Sequence, residues 1–257
     1  MKKILLSIMT AVLACSTFTA YAAGGSGYPH DDFSANLRDK ESMQRGAKLF
    51  VNYCAGCHSL EFQRYNRTFK DLGIIPEIGA ENLIFTGAKA VEQMHNAMDK
   101  TDAGKWFGAA APDLSLTARA KGSDYIYNYL RGFYVDDSRP LGFNNAVFPG
   151  ASMPNPLWMR QGLQKPVYQK EKHCETVDGK ESCNEVDVLT GFELVQKGTE
   201  SAAQYNQTVT DITNFLTYVS DPSALVRMRM GPWVLAFIAV LTMLFYFLKR
   251  EYWRDVH

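Results

Sequence analysis

The chain has 257 residues, with 27 basic and 27 acidic side chains, so its formal net charge is zero. This length suits one large domain or two small ones. A balanced charge gives no electrostatic argument for binding to nucleic acid, which normally requires a basic surface. We therefore expect no nucleic-acid partner.

The first 22 residues have the three parts of a secretory signal peptide. Two lysines open the chain after Met1, an apolar run follows from Ile4 to Cys15, and a small-x-small site ends at Ala22. This pattern predicts cleavage after Ala22 and export of the remainder. An alternative is lipoprotein processing at Cys15, because the residues before it loosely resemble a lipobox.

A C-x-x-C-H motif is formed by Cys54, Cys57 and His58 in "NYCAGCHSLEF". Chance gives about 0.002 such matches in a chain of this composition. Two thiols at this spacing can both reach the vinyl groups of one haem, and the adjacent imidazole then lies under the iron. A zinc site would need more ligands and a redox dithiol would not need the histidine. The motif predicts one covalently bound haem c.

The second iron ligand decides the chemistry, because a six-coordinate iron carries electrons whereas an open position binds gases or peroxide. The candidates are Met153, His95, Met94, Met98, Met159 and His173. Residues 88–100 predict an amphipathic helix, in which methionines normally fill a core. Met153 instead lies in "FPGASMPNPLW", where prolines stiffen an extended loop that can hold a thioether on iron. We predict that His58 and Met153 bind the iron.

Two helices are predicted to build the haem domain. Residues 39–58 read as a helix that runs into the motif, and Gly46 would allow another helix to cross closely. The partner is predicted in residues 208–223, where apolar side chains follow helical spacing until Pro222. This order is typical of a mainly α, cytochrome c-type haem domain.

The remaining pair of cysteines flanks "CETVDGKESC". If Asp178-Gly179 forms a two-residue hairpin turn, Cys174 faces Cys183 at a separation of about 4.5 Å. This lies within the range that a disulfide spans, and exported proteins meet an oxidising compartment. We predict a small β-hairpin insertion closed by a Cys174–Cys183 disulfide. The alternative is a pair of free surface thiols.

The C-terminal region contains an apolar run from Met230 to Leu248 without a charged residue. At 1.5 Å per residue it extends about 28 Å, enough to cross a hydrocarbon core, whereas a buried soluble helix rarely lacks a polar face for so long. With the predicted export, the organisation is a signal peptide (1–22), a periplasmic haem domain (23–226), one transmembrane anchor helix (227–249) and a cytoplasmic tail (250–257).

A third informative tract is "APDLSLTARAKGSDYIYNYLRGF". Pro112 begins a kinked segment that could press on a haem edge. Arg119 and Tyr125 are donors that could meet the haem propionates, which are carboxylates. The alternative for Arg119 is an ordinary solvated side chain.

The chain resembles the cytochrome c1 family, the haem subunits of bacterial ubiquinol–cytochrome c oxidoreductase (bc1) complexes. The motifs that carry the resemblance are "CAGCHSLEFQRY", "APDLSLTARA", "DYIYNYLRGF", "NNAVFPGASMPNPLW", "DITNFLTYVSDP" and the apolar C-terminal run. The resemblance implies thioether bonds at Cys54 and Cys57, axial ligands at His58 and Met153, and haem contacts from Pro112, Arg119 and Tyr125. One departure is Ala111, where the family usually has a proline.

The resemblance also implies the function and the partners. Electrons would come from the Rieske iron–sulfur subunit and pass to a soluble or membrane-bound cytochrome c, beside a cytochrome b subunit and membrane lipid in the bacterial inner membrane. The acidic run Glu171–Asp187 could steer a basic acceptor or be an ordinary wet surface. The rivals are an anchored cytochrome c subunit of another respiratory enzyme such as a terminal oxidase, a peroxidase-like haem enzyme, and a structural lipoprotein without haem.

Overall fold

The computed structural model describes residues 30–177 and 180–256, without the side chains of residues 173–177, 180–184 and 256. The predicted signal peptide (1–22) and the predicted turn Asp178-Gly179 lie outside the described residues. Within these ranges the helices are α1 (Lys40–Tyr53), α2 (Tyr65–Leu72), α3 (Pro76–Leu83), α4 (Lys100–Phe107), α5 (Thr117–Lys121), α6 (Ser123–Arg131), α7 (Trp158–Gln161), α8 (Ala202–Ser220), α9 (Ala224–Tyr252) and a 3₁₀ turn (Arg254–Val256). The strands form three two-stranded antiparallel sheets: β1 (Leu60–Arg64) with β2 (Gln93–Met94), β3 (Phe133–Val135) with β4 (Phe143–Asn145), and β5 (Gly162–Val177) with β6 (Lys180–Lys197).

Helix α1 leads directly into the C-x-x-C-H motif, as predicted. Its first turn is capped by the Asp39 carboxylate, which accepts a hydrogen bond from the Ser42 amide at 2.9 Å. Such a cap satisfies one of the amides that a helix start leaves free. The face that carries Met43 and Phe50 is buried, and the helix ends with Cys54 as its C-cap.

Helix α8 crosses α1 at Gly46, which confirms the predicted close packing of these two helices. A Cβ at Gly46 would lie 2.0 Å from the Asp211 carbonyl oxygen, so only glycine fits. Beside the crossing, the rings of Phe50 and Phe215 pack 5.8 Å apart and both are fully buried. Burying each such side chain stabilises the fold by about 2 kcal/mol, so this crossing anchors the motif to the core.

The predicted helix over residues 88–100 is wrong. The tract is irregular apart from β2 and becomes helical only at Lys100, where α4 begins. The carbonyls of Ala90 and Glu92 accept hydrogen bonds from the first two amides of α2, which a helix start leaves without partners. Met94 is buried in the core. The tertiary need to cap α2 therefore outweighs the helical pattern.

The β5–β6 hairpin has the predicted register, with Cys174 opposite Cys183. The thiols of these residues lie outside the described side chains, so the disulfide stays a prediction. The hairpin is not small, because its strands contain 16 and 18 residues. Antiparallel pairing continues well beyond the cysteines to a base where the Gln164 amide donates to the Phe133 carbonyl at 2.7 Å.

Helix α9 is the one helix, among the described residues, that is long and apolar enough to cross a membrane. Its 29 residues extend about 44 Å, longer than the predicted anchor over residues 227–249. Only Ala224, at its start, is buried against the body of the protein. A helix that leaves its apolar side chains exposed all round is suited to a lipid environment.

Candidate haem site

The C-x-x-C-H motif continues α1 by one further turn. The amides of Cys57 and His58 both donate to the Cys54 carbonyl, at 3.0 and 2.8 Å. Neither thiol of the motif is in a disulfide, and Cys54 is the more buried of the two. Burial and then the neighbouring Cys57 raise the pKa of the Cys54 thiol to about 12. The fold thus brings two thiols and an imidazole to one end of α1.

The imidazole of His58 is held by a backbone carbonyl. Its Nδ1 lies 2.7 Å from the Pro112 oxygen, and because a carbonyl can only accept, Nδ1 carries the proton. Nε2 then has a free lone pair. Burial lowers the pKa of His58, although the Pro112 bond and Asp113 act in the opposite direction. The neutral imidazole that metal binding requires is therefore the favoured form.

Two segments distant in sequence fix the motif from either side. The Leu114 amide donates to the Ser59 carbonyl at 3.0 Å, next to the Pro112 contact. On the other side, the Asn96 amide donates to Ser59 Oγ at 2.9 Å, and its side chain donates to the Cys57 carbonyl. The motif therefore has polar support on both flanks.

Met153 lies in the loop between β4 and α7 and is partly buried. The Tyr129 hydroxyl, on α6, donates to its sulfur at 3.7 Å. Burial and then the nearby Tyr125 raise the pKa of Tyr129 to about 12, so the phenol stays protonated at neutral pH. Tyr129 was not predicted as a site residue, since an aromatic on an amphipathic helix is ordinarily a core residue.

The loop that carries Met153 is pinned by two asparagines and an arginine. Asn145 Oδ1 accepts from the Val147 amide at 2.9 Å, and Asn144 Oδ1 accepts from the Gly150 amide at 2.8 Å. Arg139 Nη2 donates to the Gly150 carbonyl at 2.7 Å. These bonds replace the regular secondary structure that the loop lacks.

The two predicted propionate donors occupy different settings. Tyr125 is half-buried on α6, and its ring stacks on that of Tyr129 with centroids 5.8 Å apart, so it belongs to the same cluster as Met153. Arg119, on α5, is exposed, and its charge contributes to the lowered pKa of Asp221 after the larger effects of Arg227 and Ser223.

Most of the other candidate ligands are either buried in the core or exposed to solvent. Met94 is buried in the core, and His95 is exposed with its Nε2 3.3 Å from the Gln93 side-chain oxygen. Met159 is 60% exposed, and the side chain of His173 lies outside the described residues. Met98 lines a groove beside Cys57, on the motif side of the site.

A short segment connects the methionine side of the site to the histidine side. A Cβ at Gly108 would lie 3.9 Å from Ser152 Oγ, next to Met153. Four residues later, the Pro112 carbonyl holds His58. A chain of this length reaches at most about 14 Å, so the Pro112 carbonyl that holds His58 lies within about 14 Å of Gly108.

The donor set fits a haem attached through two thioethers. Two unlinked thiols at motif spacing can form the bonds, a neutral imidazole presents a free nitrogen, and a thioether lies on an ordered loop. Fold and site together define a c-type cytochrome with one covalent haem.

Comparison with known proteins identifies the family within the c-type cytochromes. The Cytochrome C1 family profile matches residues 29–181 and 188–256. A cytochrome c1 from Allochromatium vinosum is 45% identical over 239 residues, covering 93% of this chain and 94% of that protein. A protein from Nitrosomonas europaea named ammonia monooxygenase gamma subunit is 38% identical over 258 residues, covering 100% and 98%. A cytochrome c1 from Rhodospirillum rubrum is 30% identical over 241 residues, covering 85% and 83%.

The chain therefore belongs to the cytochrome c1 family. Members are haem-containing electron-transfer subunits of the bc1 complex. The apolar helix α9 together with this membership indicates a single-pass membrane anchor.

Proposed function

We propose that this chain carries single electrons from a Rieske iron–sulfur protein to a periplasmic cytochrome c within a bc1 complex. The observation that carries the proposal is the 2.7 Å contact between His58 Nδ1 and the Pro112 carbonyl, which leaves Nε2 free to bind iron. Orienting contacts of this kind fix the tautomer and the ring direction of metal-binding histidines. Family membership supports the assignment of the complex.

The ligand set accounts for the type of chemistry. Cys54 and Cys57 would hold the haem through thioethers, and His58 and Met153 would bind its iron. Haem, when bound, supplies a one-electron iron centre. With His58 and Met153 both on the iron, no position would remain for a substrate to bind, and methionine would raise the potential relative to a second histidine.

Further side chains are proposed to line the haem. Pro112 acts through its carbonyl on His58, and Tyr125 packs in the aromatic cluster beside Met153. Arg119 is exposed and so is available to pair with a propionate.

The location follows from the predicted export of the N-terminus. The haem domain (23–226) lies on the periplasmic side of the bacterial inner membrane, the anchor crosses lipid, and residues 250–257 are cytoplasmic. The domain then meets the Rieske protein and a soluble or membrane-bound cytochrome c, while the anchor packs beside cytochrome b. A Cys174–Cys183 disulfide in that oxidising compartment closes the hairpin.

The assignment of the methionine is tested by replacing Met153 with alanine and, as a matched control, the exposed Met159 with alanine. Wild type and Met159→Ala should have the weak near-infrared band of methionine-ligated ferric haem and should not bind carbon monoxide when reduced at neutral pH. Met153→Ala should lose the band and bind carbon monoxide. A band that survives in Met153→Ala contradicts the assignment, and carbon monoxide binding by wild type favours the peroxidase-like rival.

A second candidate function is a membrane-anchored cytochrome subunit of another enzyme. The observation in its favour is the full-length similarity to the protein named ammonia monooxygenase gamma subunit. Purification of the native complex distinguishes the two: cytochrome b and Rieske partners support the bc1 assignment, whereas copper-containing monooxygenase or oxidase subunits support the alternative.

A further inference from the structure

Tyr129 makes a contact that electron transfer through His58 and Met153 does not by itself require. Its hydroxyl lies 3.7 Å from the Met153 sulfur. A thioether has no hydrogen to donate, so the phenol must be the donor. The bond therefore places the partly positive hydroxyl hydrogen of Tyr129 against the sulfur that is proposed to bind the iron.

Two ring contacts and one backbone hydrogen bond hold Tyr129 in place. The ring of Tyr125 stacks on it at 5.8 Å, and the ring of Phe133 meets it edge-on at 5.2 Å. The backbone carbonyl of Tyr129 accepts a hydrogen bond from the Asn145 side chain at 2.8 Å. Because Asn145 also holds the loop that bears Met153, donor and acceptor are tied to the same support.

We propose that Tyr129 is a positioning residue for Met153: its hydroxyl orients the thioether and raises the reduction potential of the centre. The inference rests on the proposed function, in which Met153 binds the iron. A thioether sulfur has two lone pairs, so one can bind a metal while the other accepts from Tyr129.

The direction of the effect follows from the charge of the two oxidation states. A donor on the sulfur withdraws electron density from it, and ferric iron loses more stabilisation than ferrous iron because its charge is higher. Even if the whole net strength of an ordinary hydrogen bond were lost on oxidation, the ferric/ferrous equilibrium would shift by no more than about tenfold. For one electron, a tenfold change corresponds to about 59 mV.

The test compares Tyr129→Phe with Tyr127→Phe in the full-length holoprotein. Tyr127 is a matched control because it is on the same helix but stacks on Phe33 at 4.5 Å, beneath the Arg131 guanidinium. We expect Tyr129→Phe to lower the reduction potential by up to about 59 mV, which corresponds to a tenfold change in the ferric/ferrous equilibrium constant. The near-infrared methionine band should shift or weaken. Tyr127→Phe should leave both close to wild type.

A second variant covers the case in which Tyr129→Phe assembles poorly. Site-specific 3-fluorotyrosine at position 129 keeps the ring and strengthens the donor, so the potential should rise. If wild type has the band, Met153→Ala lacks it, and both changes at position 129 leave band and potential unchanged, the positioning role is refuted while the ligand assignment stands. If wild type has no band, or Met153→Ala keeps it, the assignment of Met153 as an iron ligand in the proposed function is itself refuted.

Discussion

Asn145 ties the methionine loop to helix α6 through three hydrogen bonds. Its side chain is fully buried, accepts from the amides of Val147 and Phe148, and donates to the carbonyl of Tyr129. We expect Asn145→Ala to lower the free energy of unfolding by roughly 2–4 kcal/mol, because it strands several buried polar groups. The near-infrared methionine band should weaken in parallel, as the loop that presents Met153 loosens.

The control for this prediction is Asn82→Ala. Asn82 is exposed, and its side-chain amide donates to a carbonyl of its own helix, that of Ile78. Its replacement should change stability by no more than about 0.5 kcal/mol and leave the spectrum unaltered. Chemical denaturation and absorption spectroscopy measure both effects. Equal stability losses in the two variants would show that Asn145 has no special role.

At the level of single residues, the sequence predicted which side chains could bind haem but not which contacts hold these side chains in place. The spacing of Cys54, Cys57 and His58 is local, so the pattern alone identifies it. The carbonyl of Pro112 is 54 positions from His58, and Tyr129 is 24 positions from Met153. Contacts between distant segments leave no periodic trace in a single sequence.

Among the elements, the crossing of α1 and α8 sets the position of the haem motif. Alanine in place of glycine inside a helix normally stabilises it by roughly 0.5–1 kcal/mol. At Gly46, however, a Cβ would overlap the Asp211 carbonyl at 2.0 Å and force the helices apart. We expect Gly46→Ala to destabilise the holoprotein by roughly 3 kcal/mol, seen as a fall in Tm of about 6–12 °C by circular dichroism.

Gly104→Ala provides the comparison, since Gly104 is inside α4 and a Cβ there would meet nothing within 4 Å. That variant should be as stable as wild type or slightly more so. An unchanged Tm for Gly46→Ala would mean that the two helices can separate without cost.

The helices and strands also show why some predictions from sequence patterns were right and others were wrong. The α1 and α8 helices are long, capped and amphipathic, so their own residues determine them. Residues 88–100 have helical spacing too, but the carbonyls of Ala90 and Glu92 accept hydrogen bonds from the first two amides of α2. The hairpin register was predictable from the expected turn, whereas the length of its strands was not; at their base the Gln164 side chain donates to the Phe133 carbonyl of β3.

On the scale of the whole molecule, the chain separates into parts with different surroundings. The haem motif and the methionine loop belong to one packed body, while α9 has almost no burial against it. The β5–β6 hairpin extends from the same body and carries mostly exposed side chains where these are described. Anchor and hairpin are thus the most exposed parts of the described chain.

The acidic run on the hairpin yields a prediction about electron transfer. If this run steers a basic acceptor, reversing the exposed Glu171 with Glu171→Lys should slow second-order oxidation by a basic cytochrome c severalfold at low ionic strength and flatten the salt dependence. Glu193→Lys makes the same charge change near the base of the hairpin and should have little effect, because charges more than about 10 Å away are screened at 0.1 M salt. Stopped-flow rates over a range of ionic strengths measure both. If the rate depends on ionic strength in the same way in wild type and Glu171→Lys, the hairpin takes no part in docking. An equal loss of rate in Glu193→Lys would mean that net charge matters rather than this surface.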